Sequence, residues 1–203
     1  MRSLPRLWLC ADLAALPHAE LMDRVRRALA AGPGVVWLRS PPGYPAGALL
    51  DAAVALRSLT RAQGSLLLVG DRLDVALAAD ADGVHLAERS VGPADARRFA
   101  RRELIVSCAV HDEAGIGRAS GADALLVSPF GDVPGKGPPL GALGFARLRA
   151  LAPDTFVVAL GGITDPATAR AAAAAGADAV ALRRVLSAPD PASECAALLA
   201  ALP

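Results

Sequence analysis

Four segments of this sequence share one shape, and together they confine the chain to very few folds. AAGPGVVWL begins at Ala30, AADADGVHL at Ala78, ASGADALLV at Ala119 and AAGADAVAL at Ala174. Each joins a helix end to a Gly or Asp turn and then to a short apolar strand. Between successive copies lies one further strand: LLLVG at 66–70, LIVSCAV at 104–110 and FVVAL at 156–160. RLWLCA at 6–11 precedes the first copy. Eight strands result, beginning near residues 6, 35, 66, 83, 104, 124, 156 and 179.

Helical periodicity fills the gaps, most clearly in AELMDRVRRALA, GALLDAAVALRSLTRAQ and DPATARAAAAA. Asp165 reads as an N-cap, with Pro166 at the first helical position. The strands are continuous apolar runs, as in parallel sheets covered on both faces. Strict strand–helix alternation over eight units predicts an α/β fold, a single compact (β/α)8 TIM barrel, with residues 1–203 as one domain. The competing doubly wound sheet lacks its signature, because no GxGxxG turn follows the first strand.

Composition then removes several functions. The formal net charge is +1 and no basic run appears, which argues against a nucleic-acid partner. No window reaches the ~18 apolar residues of a membrane span. The run Leu7–Ala11 is broken by Asp12 and is too short for a signal peptide, so a first strand and a cytoplasmic location are expected. Cys10, Cys108 and Cys195 are far apart and odd in number, and read as free thiols in a reducing compartment. Homo-oligomerisation stays open.

In a barrel of this kind, chemistry sits just past the C-terminal ends of the strands. Strand two ends at Arg39, whose guanidinium fork suits phosphate or carboxylate. Strand three ends in Gly70-Asp71-Arg72, where Asp71 is a candidate metal ligand and a candidate cap for the next helix, two roles that can coexist. His85 in strand four reads as a packed, hydrogen-bonded residue, and Ser90 follows a few positions on. His111 after strand five either caps a helix or faces the site.

Strand six runs into SPFGDVPGKGPPLG at 128–141, which contains Lys136, the only lysine of the chain against twenty arginines. A lone Lys on a Gly/Pro loop at that face is a candidate phosphate contact, and the glycines suggest a lid. Strand seven ends in Gly161-Gly162, whose lack of side chains lets backbone N–H groups approach a ligand. Strand eight runs into Arg183-Arg184. Loops after strands seven and eight often form a phosphate site in such barrels.

VVWLRS, GDRLDVALAADADGVHL, VSCAVHDEAG, GADALLVSPFGDVPGKGPPLG, VVALGGIT and GADAVALRRVL, in this order, resemble the thiamin phosphate synthase and thiazole tautomerase family. The resemblance implies a (β/α)8 barrel in thiamin biosynthesis. It implies either a transferase joining a thiazole phosphate to a pyrimidine pyrophosphate with Mg2+, or an isomerase that needs no metal. No organic cofactor is implied. A third alternative is a sensor that binds thiazole phosphate without catalysis.

Carried over residue by residue, the resemblance places the thiazole phosphate at Gly161, Gly162 and the backbone near Arg183 and Arg184. It places pyrophosphate at Arg39 and Lys136, and a metal at Asp71. Where the family has a second lysine, an asparagine, a second metal-binding Asp and a serine, this chain has Pro41, Gly70, Ser90 and Ala109. The tautomerase's histidine aligns with Pro129, which leaves His111, Cys108 and Asp132 as the nearest acid/base candidates.

Overall fold

The computed structural model describes residues 4–202. The predicted strands are all present: β1 Leu7–Asp12, β2 Val35–Arg39, β3 Leu66–Gly70, β4 Gly83–Leu86, β5 Ile105–Val110, β6 Ala124–Val127, β7 Phe156–Leu160 and β8 Ala179–Leu182. They pair in parallel and in chain order, and β1 pairs with β8, so the sheet closes. The helices are α1 His18–Ala28, α2 Ala46–Ala62, α3 Leu73–Ala78, α4 Pro93–Ala100, α5 Glu113–Arg118, α6 Gly141–Ala150, α7 Pro166–Ala174 and α8 Pro191–Leu199. Asp165 caps α7 as expected, in a reciprocal box with Thr168, and Pro166 opens the helix. No helix among the described residues is long and apolar enough to cross a membrane.

Two apolar layers follow from strand alternation. Trp8, Val35, Leu68, Ile105, Leu126 and Val158 fill the barrel. Leu9, Leu38, Leu67, Val84, Val106 and Leu125 pack outward against the helices. Gly83 faces inward where nothing larger fits: a Cβ there would stand 2.0 Å from the Ile105 carbonyl oxygen and 2.6 Å from a Leu68 methyl.

The sequence repeat has a physical cause at the N-terminal rim. Asp82, Asp123 and Asp178 each precede an even-numbered strand. Each Oδ2 accepts the N–H of a residue in the preceding strand: Leu67 at 2.8 Å, Val106 at 2.7 Å and Val157 at 2.8 Å. Each Asp N–H donates to the carbonyl of that same residue. An arginine from the helix before the odd strand then pairs with the carboxylate: Arg57 with Asp82 at 2.6 Å, Arg97 with Asp123 at 2.8 Å and Arg149 with Asp178 at 3.8 Å. These threefold staples join strands two at a time. In the first copy Gly34 takes the aspartate's place, because a Cβ there would meet the Leu7 carbonyl oxygen at 2.9 Å.

Candidate active site at the C-terminal mouth

Inward parity carries from the core to the mouth. Trp8 and Cys10 lead to Asp12, Val35 and Trp37 to Arg39, Ile105 and Ser107 to His111, and Ala179 and Ala181 to Arg183. Strands β8, β1 and β2 are neighbours, so Arg183, Asp12 and Arg39 meet although they are distant in sequence. Asp12 is 2% exposed. Its Oδ2 accepts from Arg39 Nη1 and from Arg183 Nη2, each at 2.8 Å, and its Oδ1 accepts the Ala14 N–H at 3.0 Å. Both arginines are about half exposed, at 50% and 51%. Each therefore presents its remaining N–H donors to the mouth.

Lys136 is exposed on the segment that follows β6, at the same end of the barrel. The charges of Arg39, Arg183 and Lys136 all reach the Cys10 thiol, although burial outweighs them and pushes that thiol up to about 12. The 128–141 segment carries Lys136 over an open concavity lined by Asp132 to Pro139. Arg184 is exposed at the start of a 3-10 turn, Arg184–Ser187, and is not among the partners of Asp12.

Beneath the cations lies an aromatic floor. The Trp37 and His85 rings pack together with centroids 4.1 Å apart and planes tilted by 50°. His85 Nδ1 meets Ser107 Oγ at 2.9 Å. Burial lowers the His85 pKa to about 4, so this ring is neutral and structural, as its sequence context suggests. The Trp37 indole N–H is buried without an acceptor. It faces Gly70, where a Cβ would come within 3.0 Å of Nε1.

Asp71 has a left-handed backbone, φ 57°. It does not cap α3, whose N-cap is Arg72 with no side-chain cap bond. Instead its Oδ1 accepts the Ala87 N–H at 2.8 Å and the Ser90 hydroxyl, so the ends of β3 and β4 touch. Among the described residues no three His, Cys, Asp or Glu side chains gather into a metal cage. A single carboxylate does suit Mg2+, which commonly takes one or two protein carboxylates and completes its shell with phosphate oxygens and water.

His111 does not cap α5; Asp112 does, through the Gly115 N–H. His111 Nδ1 lies 2.8 Å from the Ser128 carbonyl oxygen, which can only accept. Nδ1 therefore carries the proton, and in the neutral ring Nε2 is the basic atom. Of the other acid/base candidates, Cys108 is misplaced. It has outward parity, packs in the layer between sheet and helices, and is pushed up to about 11 by burial. Asp132 is exposed on the 128–141 segment.

Gly161 and Gly162 have φ of 90° and 72°. Their need for glycine is met within the fold itself. A Cβ on Gly162 would stand 2.4–2.5 Å from Gly131 backbone atoms, and Gly131 donates its N–H to the Gly161 carbonyl. The pair thus clasps the start of the Lys136 segment against β7.

Sequence reasoning missed Asp12 and Trp37. Asp12 read only as the residue ending an apolar run, and Trp37 as part of a strand. The available signal was parity: both are inward-facing on strands whose next inward residue, or last one, reaches the mouth.

Residues 7–186 match the family described as thiamine monophosphate synthase. A putative thiamine-phosphate synthase of Geobacter sulfurreducens is 37% identical over 97% of this chain and 94% of its own length. A thiamine-phosphate synthase of Methanoculleus marisnigri is 41% identical over 79% of this chain and 77% of its own. The structure of a thiamine phosphate pyrophosphorylase from Pyrococcus furiosus superposes with a TM-score of 0.85 at 29% identity, covering 97% of this chain and 94% of that one. Barrel, motif order and these likenesses agree, and the chain belongs to the thiamine monophosphate synthase family.

Proposed function

We propose that this protein is a thiamin phosphate synthase, joining a thiazole phosphate to a pyrimidine methyl diphosphate with release of pyrophosphate. The observation that carries this reading is the meeting of Arg39 and Arg183 on Asp12 at the mouth, with Lys136 on the loop after β6 at the same end of the barrel. In the reaction the C–O bond between methylene and diphosphate breaks, and the diphosphate leaves with the electron pair. The thiazole nitrogen then supplies the pair for the new C–N bond. Little covalent work falls to the protein. Its task is to stabilise charge that grows on the leaving diphosphate, which fixed cations do without reorganising.

Trp37, inward-facing and partly exposed just below Arg39, is an aromatic surface on which a flat heteroaromatic ring can pack. Gly161–Gly162 and the turn after Arg183 are the site for the thiazole phosphate. Asp71 is the residue that would hold Mg2+, jointly with diphosphate oxygens, and the ion would neutralise charge on the leaving group.

The test is direct. Protein, thiazole phosphate, pyrimidine methyl diphosphate and Mg2+ are combined, and thiamin phosphate is quantified. Absence of product together with absence of Mg-pyrophosphate binding in calorimetry overturns the synthase reading. One observation favours a second reading: the basic Nε2 of His111 at the mouth is a proton acceptor of the kind a thiazole tautomerase needs. Isomerisation of a thiazole carboxylate phosphate without metal, lost in His111→Gln, would establish it. Thiazole phosphate binding with neither reaction would leave a sensor.

A further inference from the structure

Asp12 stands out because its charge is opposite to that of the two arginines it holds. It is a buried carboxylate at the end of β1, and its own charge opposes the binding of an anion to those arginines. Burial of such a group is costly unless it is paired and hydrogen-bonded, and Asp12 is fully engaged: Ala14 N–H on one oxygen, two arginines on the other. The two guanidiniums come from opposite sides of the barrel closure, one on β2 and one past β8. Both donate to a single oxygen, so their engaged nitrogens lie close together despite like charge. Neither arginine is sequestered, since each is about half exposed. A carboxylate that merely solvated one arginine would need neither the second partner nor burial.

We infer that Asp12 is a positioning residue that yokes Arg39 and Arg183 into one cradle, so that the arginine after β8 acts on the diphosphate together with the arginine after β2. The inference rests on the synthase reading for the identity of the anion. Its geometry concerns the protein alone. Two forks anchored on one oxygen bring their remaining donors within reach of a single diphosphate, and fixing them beforehand reduces the entropy cost of ordering two long side chains on binding. Asp12 also offsets the repulsion that would otherwise drive the two guanidiniums apart.

The sign of one substitution decides the matter. Asp12→Asn removes a negative charge from an anion site, so electrostatics alone would tighten anion binding. Loss of a positioning group weakens it. Calorimetric titration of the intact protein with inorganic pyrophosphate and Mg2+ should show Asp12→Asn binding about tenfold more weakly than wild type, and Arg183→Gln likewise. Pyrophosphate should raise the melting temperature of Asp12→Asn less than that of wild type, while thiazole phosphate stabilises both equally. A general structural lesion would blunt both ligands.

Unchanged or tighter pyrophosphate binding in Asp12→Asn overturns the inference. So does unchanged binding in Arg183→Gln, which serves alone if Asp12→Asn does not fold. Weakened binding in a protein that makes no thiamin phosphate would uphold the cradle and sink the synthase. Normal synthesis with pyrophosphate affinity indifferent to both substitutions would do the reverse. A wild-type protein that binds no pyrophosphate overturns both.

Discussion

Ser90 donates its hydroxyl hydrogen to Oδ1 of Asp71, joining the ends of β3 and β4 across the mouth. The same oxygen also takes the Ala87 N–H. The second metal-binding Asp implied by the family resemblance is thus represented by a neutral group that satisfies the first. Ser90→Asp should place two carboxylates in contact. Without Mg2+ they repel, and one carboxyl titrates upward. With Mg2+ they share the ion. The expected result is a fall of about threefold to tenfold in the Mg2+ concentration giving half-maximal activity, with a small loss of stability in chelator. A metal titration of activity and of melting temperature reads both.

Lys136 is exposed. Lys136→Ala should leave stability within about 0.5 kcal/mol of wild type. It should weaken Mg-pyrophosphate binding about fivefold to tenfold, the scale of one charge-assisted contact. Chemical denaturation and calorimetry on the same variant separate the two effects. Unchanged affinity would return Lys136 to the role of a solvated surface charge.

The rim staples predict a stability series. Asp82 and Arg57 are the most enclosed pair, with side chains 19% and 14% exposed, and they meet at 2.6 Å. The Arg149–Asp178 pair is looser, at 3.8 Å. Asp82→Ala strands the Leu67 N–H and leaves a partly buried guanidinium unpaired. It should cost about 2–3 kcal/mol, and Asp178→Ala about 1–2 kcal/mol. Urea midpoints give the order. Activity per folded molecule should be unchanged, because the rim lies at the other end of the barrel.

His85 sets a pH dependence. Its folded pKa, about 4, lies below the ordinary value of 6.5 because burial disfavours the charged ring. The unfolded chain therefore binds the extra proton first, and stability rises with pH. His85's contribution is complete above about pH 6.5 and drains away as pH falls towards 4, to a total of about 3 kcal/mol. His85→Gln should be less stable than wild type at pH 7 yet show a flatter decline between pH 6.5 and 4. Urea unfolding at three pH values in that window measures the slope. Equal slopes would mean that His85 is already protonated in the fold.

Gly162→Ala should be among the most disruptive single-methyl changes at the mouth. The backbone is left-handed there, and the added carbon would overlap Gly131. The segment bearing Lys136 must shift. Thiazole phosphate and pyrophosphate binding should both weaken, by about tenfold or more, which two titrations would show.

The barrel was legible because its strands are uninterrupted apolar runs bounded by helix periodicity, and β3 and β7 match the sequence boundaries to the residue. The positions of Arg39 and Arg183 at strand ends follow from the sequence, and both side chains meet on Asp12. The role of Asp12 does not follow, because it depends on two partners that reach it only when β8 closes onto β1. Cys108 was misjudged for want of parity: in β5 the inward residues are Ile105, Ser107 and Ala109, and Cys108 must face the helices. The glycines of β7 were correctly placed at the mouth, but the closeness of the 128–131 segment is a tertiary fact with no local signature. Asp71 had two candidate roles, and the structure shows a third, as acceptor for the β4 end.

The three Arg–Asp staples tie the strands together at one rim, while Asp12, Asp71 and Ser90 work at the other. Heritable change is thereby partitioned. A scaffold stapled at one rim tolerates exchange at the mouth, such as a hydroxyl at Ser90 where the family resemblance implies a carboxylate, without loosening the sheet. Divergence of chemistry within one ancestry then requires no new architecture.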